Sequence, residues 1–102
     1  MTKRIIVTGA SRGIGFELVK QYTAQGHQVI AISRNTENLA RLKQECLQLN
    51  AQAMLHTISF DLASGDFHTT LIPFVSKHFQ QVDVLINNAG ALVSQPFSEI
   101  TA

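Results

Sequence analysis

The chain has 102 residues, 45% of them hydrophobic, and a formal net charge of +1 at pH 7, which suits one small domain and argues against a general binder of nucleic acid. Because the chain has a single cysteine, Cys46, it cannot form an internal disulfide framework, which is typical of a cytoplasmic protein. The cysteine and the four histidines are not spaced as metal ligands, so no metal site is expected. No apolar run approaches the roughly 20 residues of a membrane-spanning helix, so no membrane partner is expected.

Four apolar segments alternate with helix-like segments along the chain. The predicted strands are 4–8, 28–33, 53–60 and 82–86, and the predicted helices are 14–25, a second one that ends near 49, and 64–80. Asn35 or Thr36 is expected to cap the second helix. Pro73 lies inside the third predicted helix, so a regular helix is expected there only from about Thr70.

The spacing of apolar residues predicts which face of each helix is buried. The expected buried residues are Ile14, Leu18, Val19 and Tyr22 in the first helix, Leu39, Leu42, Cys46 and Leu49 in the second, and Leu71, Val75 and Phe79 in the third. Strands that alternate with helices over short connections indicate a parallel sheet with right-handed crossovers. The predicted fold is therefore α/β, one half of a doubly wound, Rossmann-like parallel sheet with strand order 3-2-1-4. Ligands of such sheets bind at the carboxyl ends of the strands, where the order reverses.

A glycine-rich turn joins the first strand to the first helix. Residues 8–15 read T-G-A-S-R-G-I-G. Gly9 lets the backbone leave the strand in a conformation that a Cβ would block, Gly13 lets the main chain approach a pyrophosphate, and Gly15 lets the helix pack tightly on the sheet. The start of the helix offers unpaired N–H groups and the positive end of its dipole to phosphates. The turn therefore predicts a dinucleotide-binding site.

The glycine spacing resembles that of the short-chain dehydrogenase/reductase family. The match continues with Asp61-Leu62 after the third apolar segment and with N-N-A-G at 87–90 after the fourth, and it covers nearly the whole chain. The resemblance implies an oxidoreductase that transfers hydride between a nicotinamide cofactor and the carbonyl or hydroxyl group of a small-molecule substrate.

The end of the second strand predicts which nicotinamide cofactor binds. NAD-binding folds usually place there an acidic residue that bonds the ribose 2′-hydroxyl, but here the sequence reads Ser33-Arg34. A guanidinium can form a two-pronged, charge-assisted pair with a 2′-phosphate. Arg12, in the glycine turn, lies on the same side and could close the other flank. The two arginines match the NADP-preferring members of the family that the chain resembles, and the alternative is that both are solvated surface residues.

The resemblance assigns the remaining cofactor contacts. It places Asp61 at the adenine amino group and Leu62 as an apolar wall. The alternative for Asp61 is that it caps the irregular start of the next helix. The backbone of Ile14 meets the pyrophosphate, Ser11 either contacts ribose or phosphate or is simply a small turn residue, and Asn88 is expected to brace the strand ends. The complete predicted cofactor site is Gly9, Ser11, Arg12, Gly13, Ile14, Gly15, Ser33, Arg34, Asp61, Leu62, Asn87, Ala89 and Gly90.

The catalytic serine and Tyr-x-x-x-Lys motif that the resemblance implies are not found in this sequence. Its only tyrosine is Tyr22, and the residue four places on is Gly26. We therefore interpret the chain as the N-terminal part of a single NADP-binding domain, truncated before the catalytic half and inactive by itself. The alternative is a non-catalytic NADP-binding module or an inactive fragment.

The outer edge of the fourth strand is expected to be unpaired in a sheet of this order. An unpaired apolar edge recruits other chains, and segment 82–86 contains neither proline nor lysine to discourage pairing. We therefore expect the chain to form a homo-oligomer through this edge or to aggregate.

Overall fold

The computed structural model describes residues 2–88. Within them the elements are β1 (Arg4–Thr8), α1 (Gly13–Ala24), β2 (Gln28–Ser33), α2 (Thr36–Leu49), β3 (Met54–Ser59), a π-helical turn (Phe67–Leu71) that leads directly into α3 (Ile72–His78), and β4 (Val84–Asn87). The strands pair in parallel in the order β3-β2-β1-β4. The predicted α/β architecture and strand order are confirmed.

The two central strands are buried because helices cover both faces of the sheet. Alternate residues of β1 and β2 supply two separate cores. The core under α1 and α2 contains Ile5, Val7, Val29 and Ala31, and the core under α3 contains Ile6, Ile30 and Ile32. Continuous apolar runs are what a strand covered on both faces requires, and this explains why β1 and β2 follow the predicted bounds.

The buried face of α1 differs from the prediction. Ile14, expected inside, is 71% exposed, and Phe16 and Thr23 are buried together with the predicted Val19. Both sets of residues have helical spacing, so the spacing alone does not decide between the two faces. A polar Thr23 is tolerated inside because its hydroxyl donates to the carbonyl of Val19 over 2.9 Å.

The second helix begins as predicted, with the side chain of Asn35 accepting the N–H of Asn38 (2.9 Å). Leu39, Leu42 and Cys46 are buried, but Leu49 is 60% exposed. Leu49 is the last residue of α2, where the chain turns away toward β3. Among the helices of residues 2–88, none has the length and apolar character needed to cross a membrane.

The helix before β4 begins with an irregular segment, as predicted, but that segment contains a π-helical turn and the regular helix starts at Ile72 rather than at about Thr70. Asp66 accepts the N–H groups of two residues of the π-helical turn, and the N–H of Ile72 reaches back to the carbonyl of Phe67. The wide turn accommodates Pro73, whose ring would clash with the preceding turn of a regular α-helix. The predicted buried residues of this helix, Leu71, Val75 and Phe79, are confirmed.

The last strand begins at Val84 rather than at 82. Asp83 donates its N–H to the carbonyl of Arg4 (2.9 Å), and its Oδ2 accepts the N–H of Arg4 (2.8 Å). Parallel register then begins with Ile5 opposite Val84. The bond from the Arg4 N–H is the main reason that the pKa of Asp83 lies below its ordinary value.

The first turn of α1 packs against the ends of β1 and β4. A Cβ on Gly15 would lie 2.5 Å from the carbonyl oxygen of Gly9 and 2.9 Å from Nδ2 of Asn88. The Asn88 amide itself donates to the Gly9 carbonyl (3.3 Å). The predicted tight packing at Gly15 and the bracing role of Asn88 are both confirmed.

We expect Gly15→Ala to lower the free energy of unfolding by about 1–3 kcal/mol, because backbone must move to admit the methyl group. Urea denaturation followed by circular dichroism measures the loss. Gly26→Asn is the control, since a Cβ there meets nothing within 4 Å and asparagine tolerates the left-handed conformation of Gly26. A Gly15→Ala protein as stable as wild type would contradict this packing.

A second prediction concerns a histidine pair between β3 and α3. The rings of His56 and His78 stack with centroids 3.8 Å apart. Burial, followed by the charges of His78 and Lys43, holds the pKa of His56 below its ordinary value of 6.5. The folded protein therefore resists protonation of His56. The stability that neutral His56 contributes is therefore complete above about pH 6.5 and is lost as the pH falls toward the lowered pKa of His56.

Replacing His56 by glutamine should flatten the loss of stability that occurs as the pH falls below about 6.5. Denaturation midpoints at several pH values measure this slope. His68→Gln removes an exposed histidine outside the stack and serves as the control. An unchanged slope in His56→Gln would show that the stacked pair does not carry the acid sensitivity.

Candidate functional site

A cleft of about 580 Å³ opens at the carboxyl ends of all four described strands. Its lining residues are Gly9, Ser11, Arg12, Gly13, Ile14, Ile32, Ser33, Arg34, Phe60, Asp61, Leu62, Ala63 and Asn88. The strand order reverses at this edge, between β1 and its neighbours, which is where doubly wound sheets bind ligands. The structure thus brings together the predicted residues of the glycine turn, apart from Gly15, with those that follow β2 and β3.

Two predicted residues, Gly15 and Asn87, do not form part of the cleft wall. Gly15 is buried under the turn, and Asn87 accepts the hydroxyl of Thr8 over 2.8 Å, which ties the end of β4 to the end of β1. Ala89 and Gly90 lie outside the described residues.

The predicted cofactor site lacks four residues of the wall. Ile32, Phe60 and Ala63 each adjoin a predicted site residue in the chain, near the ends of β2 and β3, and Asn88, which was expected only to brace the strand ends, directly follows β4. Their position at strand ends is the signal that could have identified them. Residues 2–88 place no cluster of three or more histidine, cysteine, aspartate or glutamate side chains suited to a metal ion.

The amino end of α1 is open toward the cleft. Arg12 occupies its N-cap position with an extended backbone, and no side chain of the described residues caps the helix there. Gly13 has a φ of +63°, and apart from its chain neighbours and the backbone of its own helix nothing lies within 4 Å of the place where its Cβ would be. By contrast, Asn35 caps α2. The first N–H groups of α1 therefore stay available to an anion, which is the arrangement that fits a phosphate group.

The two predicted arginines converge beside the cleft. A smaller cavity of about 440 Å³ adjoins it and is lined by Ser11, Arg12, Ser33, Arg34, Asn35 and Asn38. The arginine side chains come from different segments, the glycine turn and the loop after β2, and both residues are exposed. Two guanidinium groups and several polar side chains can thus surround one small anionic group.

Asp61 closes a tight turn after β3. Its Oδ1 accepts the N–H of Ala63 (2.9 Å), its Oδ2 accepts the hydroxyl of Ser64 (3.0 Å), and its carbonyl accepts the N–H of Gly65 (2.7 Å). The Ala63 N–H, then the Ser64 hydroxyl, and more weakly the charge of Arg34 hold the pKa of Asp61 below its ordinary value. Asp61 thus holds the start of the irregular segment before α3, as its alternative role predicted, and Asp66 caps the π-helical turn that follows. Asp61 remains an ionised acceptor in the cleft wall, with lone pairs left for a ligand.

The family model described as short chain dehydrogenase matches residues 3–102. Over 89 aligned residues the chain is 39% identical to (+)-neomenthol dehydrogenase of Arabidopsis thaliana, covering 83% of this chain and 29% of that protein. It is 36% identical over 99 residues to L-xylulose reductase of Bos taurus, covering 97% of this chain and 36% of that protein. A shorter relative from Dichelobacter nodosus, named "Probable NADP-dependent dehydrogenase in aabA 3′region", is 34% identical over 91 residues, with 89% of this chain and 81% of the relative covered.

Solved structures show the same fold. A short chain dehydrogenase from Salmonella enterica serovar Typhi superposes with a TM-score of 0.79 at 28% identity, over 98% of this chain and 44% of that one. A metagenomic short-chain oxidoreductase in complex with NADP superposes with a TM-score of 0.75 at 30% identity, over 87% of this chain and 39% of that one. The chain thus spans less than half the length of these structures and of the Arabidopsis and bovine enzymes. On the glycine turn, the sheet order and the matched family model, the chain belongs to the short chain dehydrogenase family.

Proposed function

We propose that the chain forms the cofactor-binding part of an NADP-dependent oxidoreductase that acts on a carbonyl or hydroxyl group of a small molecule. The observation that carries the proposal is the convergence of Arg12 and Arg34 on one cavity at the end of β2. The relatives support it, since one is named L-xylulose reductase and one similar structure holds NADP. When bound, the reduced nicotinamide supplies the hydride. What residues 1–102 contribute is the binding and orientation of that cofactor.

The open amino end of α1 would hold the pyrophosphate. The backbone from Gly13 to Gly15 presents N–H groups and the positive end of the helix dipole, and Gly13 allows close approach. Asp61 would accept the adenine amino group and Leu62 would flank the ring. Ser11 would contact ribose or phosphate. The adenosine ribose would be lined by Asn87, Ala89 and Gly90.

Arg12 and Arg34 would bind the 2′-phosphate of NADP. A charged hydrogen bond contributes roughly 1.5–3 kcal/mol, and exposure of both side chains reduces this through solvent screening. We therefore expect a preference of about tenfold for each arginine. Ser33 and Arg34 stand where an NAD-binding fold places its acid, so the cavity presents no carboxylate at this position to repel the phosphate.

Calorimetric titration of 2′,5′-ADP and 5′-AMP tests the assignment. The wild-type protein should bind 2′,5′-ADP about 10- to 100-fold more tightly. Arg34→Asp should reverse the order, because it removes a cation and places a carboxylate where a free ribose hydroxyl can use it. Lys77→Glu makes the same change in net charge on α3, away from the cleft, and should leave the order unchanged. Equal wild-type affinities for the two nucleotides would refute the NADP assignment.

We further propose that the proton-transfer residues of the reaction are not among residues 1–102. Tyr22 is half-buried, packs on the core under α1 and α2, and meets the ring of His27 edge-on with centroids 6.1 Å apart. It is a packing residue, not a donor at the cleft. The alternative, a module that binds NADP without catalysis, uses the same cleft and differs only in whether such residues are supplied.

Self-association is proposed through the outer edge of β4. In the described sheet β4 pairs only with β1, and Val84, Leu85 and Ile86 are half-buried, unlike the fully buried apolar residues of β1 and β2. Light scattering of the 102-residue chain should show species larger than its 11.2 kDa mass. Met54→Lys, which places a charge on the opposite edge strand β3, should not change the result. A stable monomer at about 100 μM would contradict the proposal.

A further inference from the structure

The main chain around Arg34 is held by hydrogen bonds on both sides of the residue. The carbonyl of Ser33 accepts the N–H of Phe60 (2.8 Å), and the hydroxyl of Ser33 accepts the N–H of Asn35 (3.2 Å). The carbonyl of Arg34 itself accepts the hydroxyl of Ser59 over 3.1 Å. Asn35 then caps α2 through its side chain. These hydrogen bonds hold the backbone of the loop in one conformation, although the Arg34 side chain is exposed.

Ser59 can make its contact because of the strand register. It is the last residue of β3 and pairs directly with Ser33, the last residue of β2. The chain of β2 ends there and turns into the Arg34 loop, so a hydroxyl at the end of β3 lies beside the next carbonyl. Neither cavity includes Ser59 among the described residues that line it.

We propose that Ser59 is a positioning residue for recognition of the 2′-phosphate. Its hydroxyl fixes the carbonyl of Arg34, and with it the direction in which the guanidinium enters the cavity shared with Arg12. An exposed arginine has many rotamers, and binding must restrict them. A backbone held in the binding geometry lowers that cost. The inference rests on the proposed function, because it names a residue that acts through Arg34 on the same site.

The experiment compares Ser59→Ala, Ser59→Thr and Thr57→Val with wild type. Thr57→Val is the matched control, since it removes a hydroxyl from the same face of β3 two residues earlier. Calorimetry gives the affinities for 2′,5′-ADP and 5′-AMP, and urea denaturation shows that each variant is folded. A purely structural role of Ser59 would weaken both ligands, whereas a positioning role weakens only the ligand that carries the 2′-phosphate.

Ser59→Ala should bind 2′,5′-ADP about threefold to tenfold more weakly, the range of one lost hydrogen bond, and 5′-AMP within about twofold of wild type. Ser59→Thr keeps the hydroxyl and should restore discrimination, and Thr57→Val should bind both ligands as wild type does. The inference alone is overturned if Ser59→Ala keeps the wild-type ratio of affinities for 2′,5′-ADP and 5′-AMP. It is also overturned if Thr57→Val or Ser59→Thr loses that ratio to the same extent as Ser59→Ala. Equal wild-type affinities overturn the NADP assignment and this inference together.

Discussion

The close approach of α1 to the end of β1 determines the rest of the structure. At Gly15 the helix backbone lies so near the Gly9 carbonyl that a methyl group would overlap it. The first turn of α1 therefore lies directly over the end of the central strand, with its unpaired N–H groups at the cleft. Asn88 bonds the same carbonyl and fixes the end of β4 at the same point. One crowded contact thus joins the ends of β1 and β4 to the first turn of α1, beside the cleft.

The two-sided core explains why the site collects at one edge of the sheet. Within β1 and β2 nearly every residue faces a helix, so burying a polar side chain there would cost free energy of folding. The polar side chains therefore lie where the strands end. Thr8, the last residue of β1, is fully buried and bonds Asn87 at the end of β4. Ser33 and Ser59 hold the corresponding positions on β2 and β3. The ends of the strands thus combine buried hydrogen bonds, which give rigidity, with exposed groups that a ligand can reach.

The sheet could be predicted from the sequence because its determinants are local. Apolar runs mark the strands, and the glycine turn locates both the crossover and the cleft. The helix faces were less predictable, because Ile14 and Leu49 fit the apolar period and yet lie at helix ends where the chain leaves the core. The start of β4 depends on Asp83, whose carboxylate binds the backbone of a residue 79 positions away. Such contacts exist only after the chain has folded, so no local pattern carries them.

The same distinction applies to the site. The arginines could be predicted because one adjoins a glycine turn and the other ends a strand. Their exposure, however, means that charge alone cannot define the site, since exposed ion pairs are screened and contribute little. Arg41 is also exposed, yet its guanidinium lies 5.0 Å from the ring of Phe16 and pairs with Glu45.

What separates Arg34 from Arg41 is the backbone that carries it. The bonds to Arg34 and its neighbours come from Ser59 and Phe60, about 25 residues later in the chain, and they hold the loop over the cavity that Arg12 also lines. In the proposed NADP site, specificity for the phosphate would depend on how the loop is held as well as on the charge it presents. This is why we propose a role in cofactor recognition for the Ser59 hydroxyl, which lies outside the hydrophobic core.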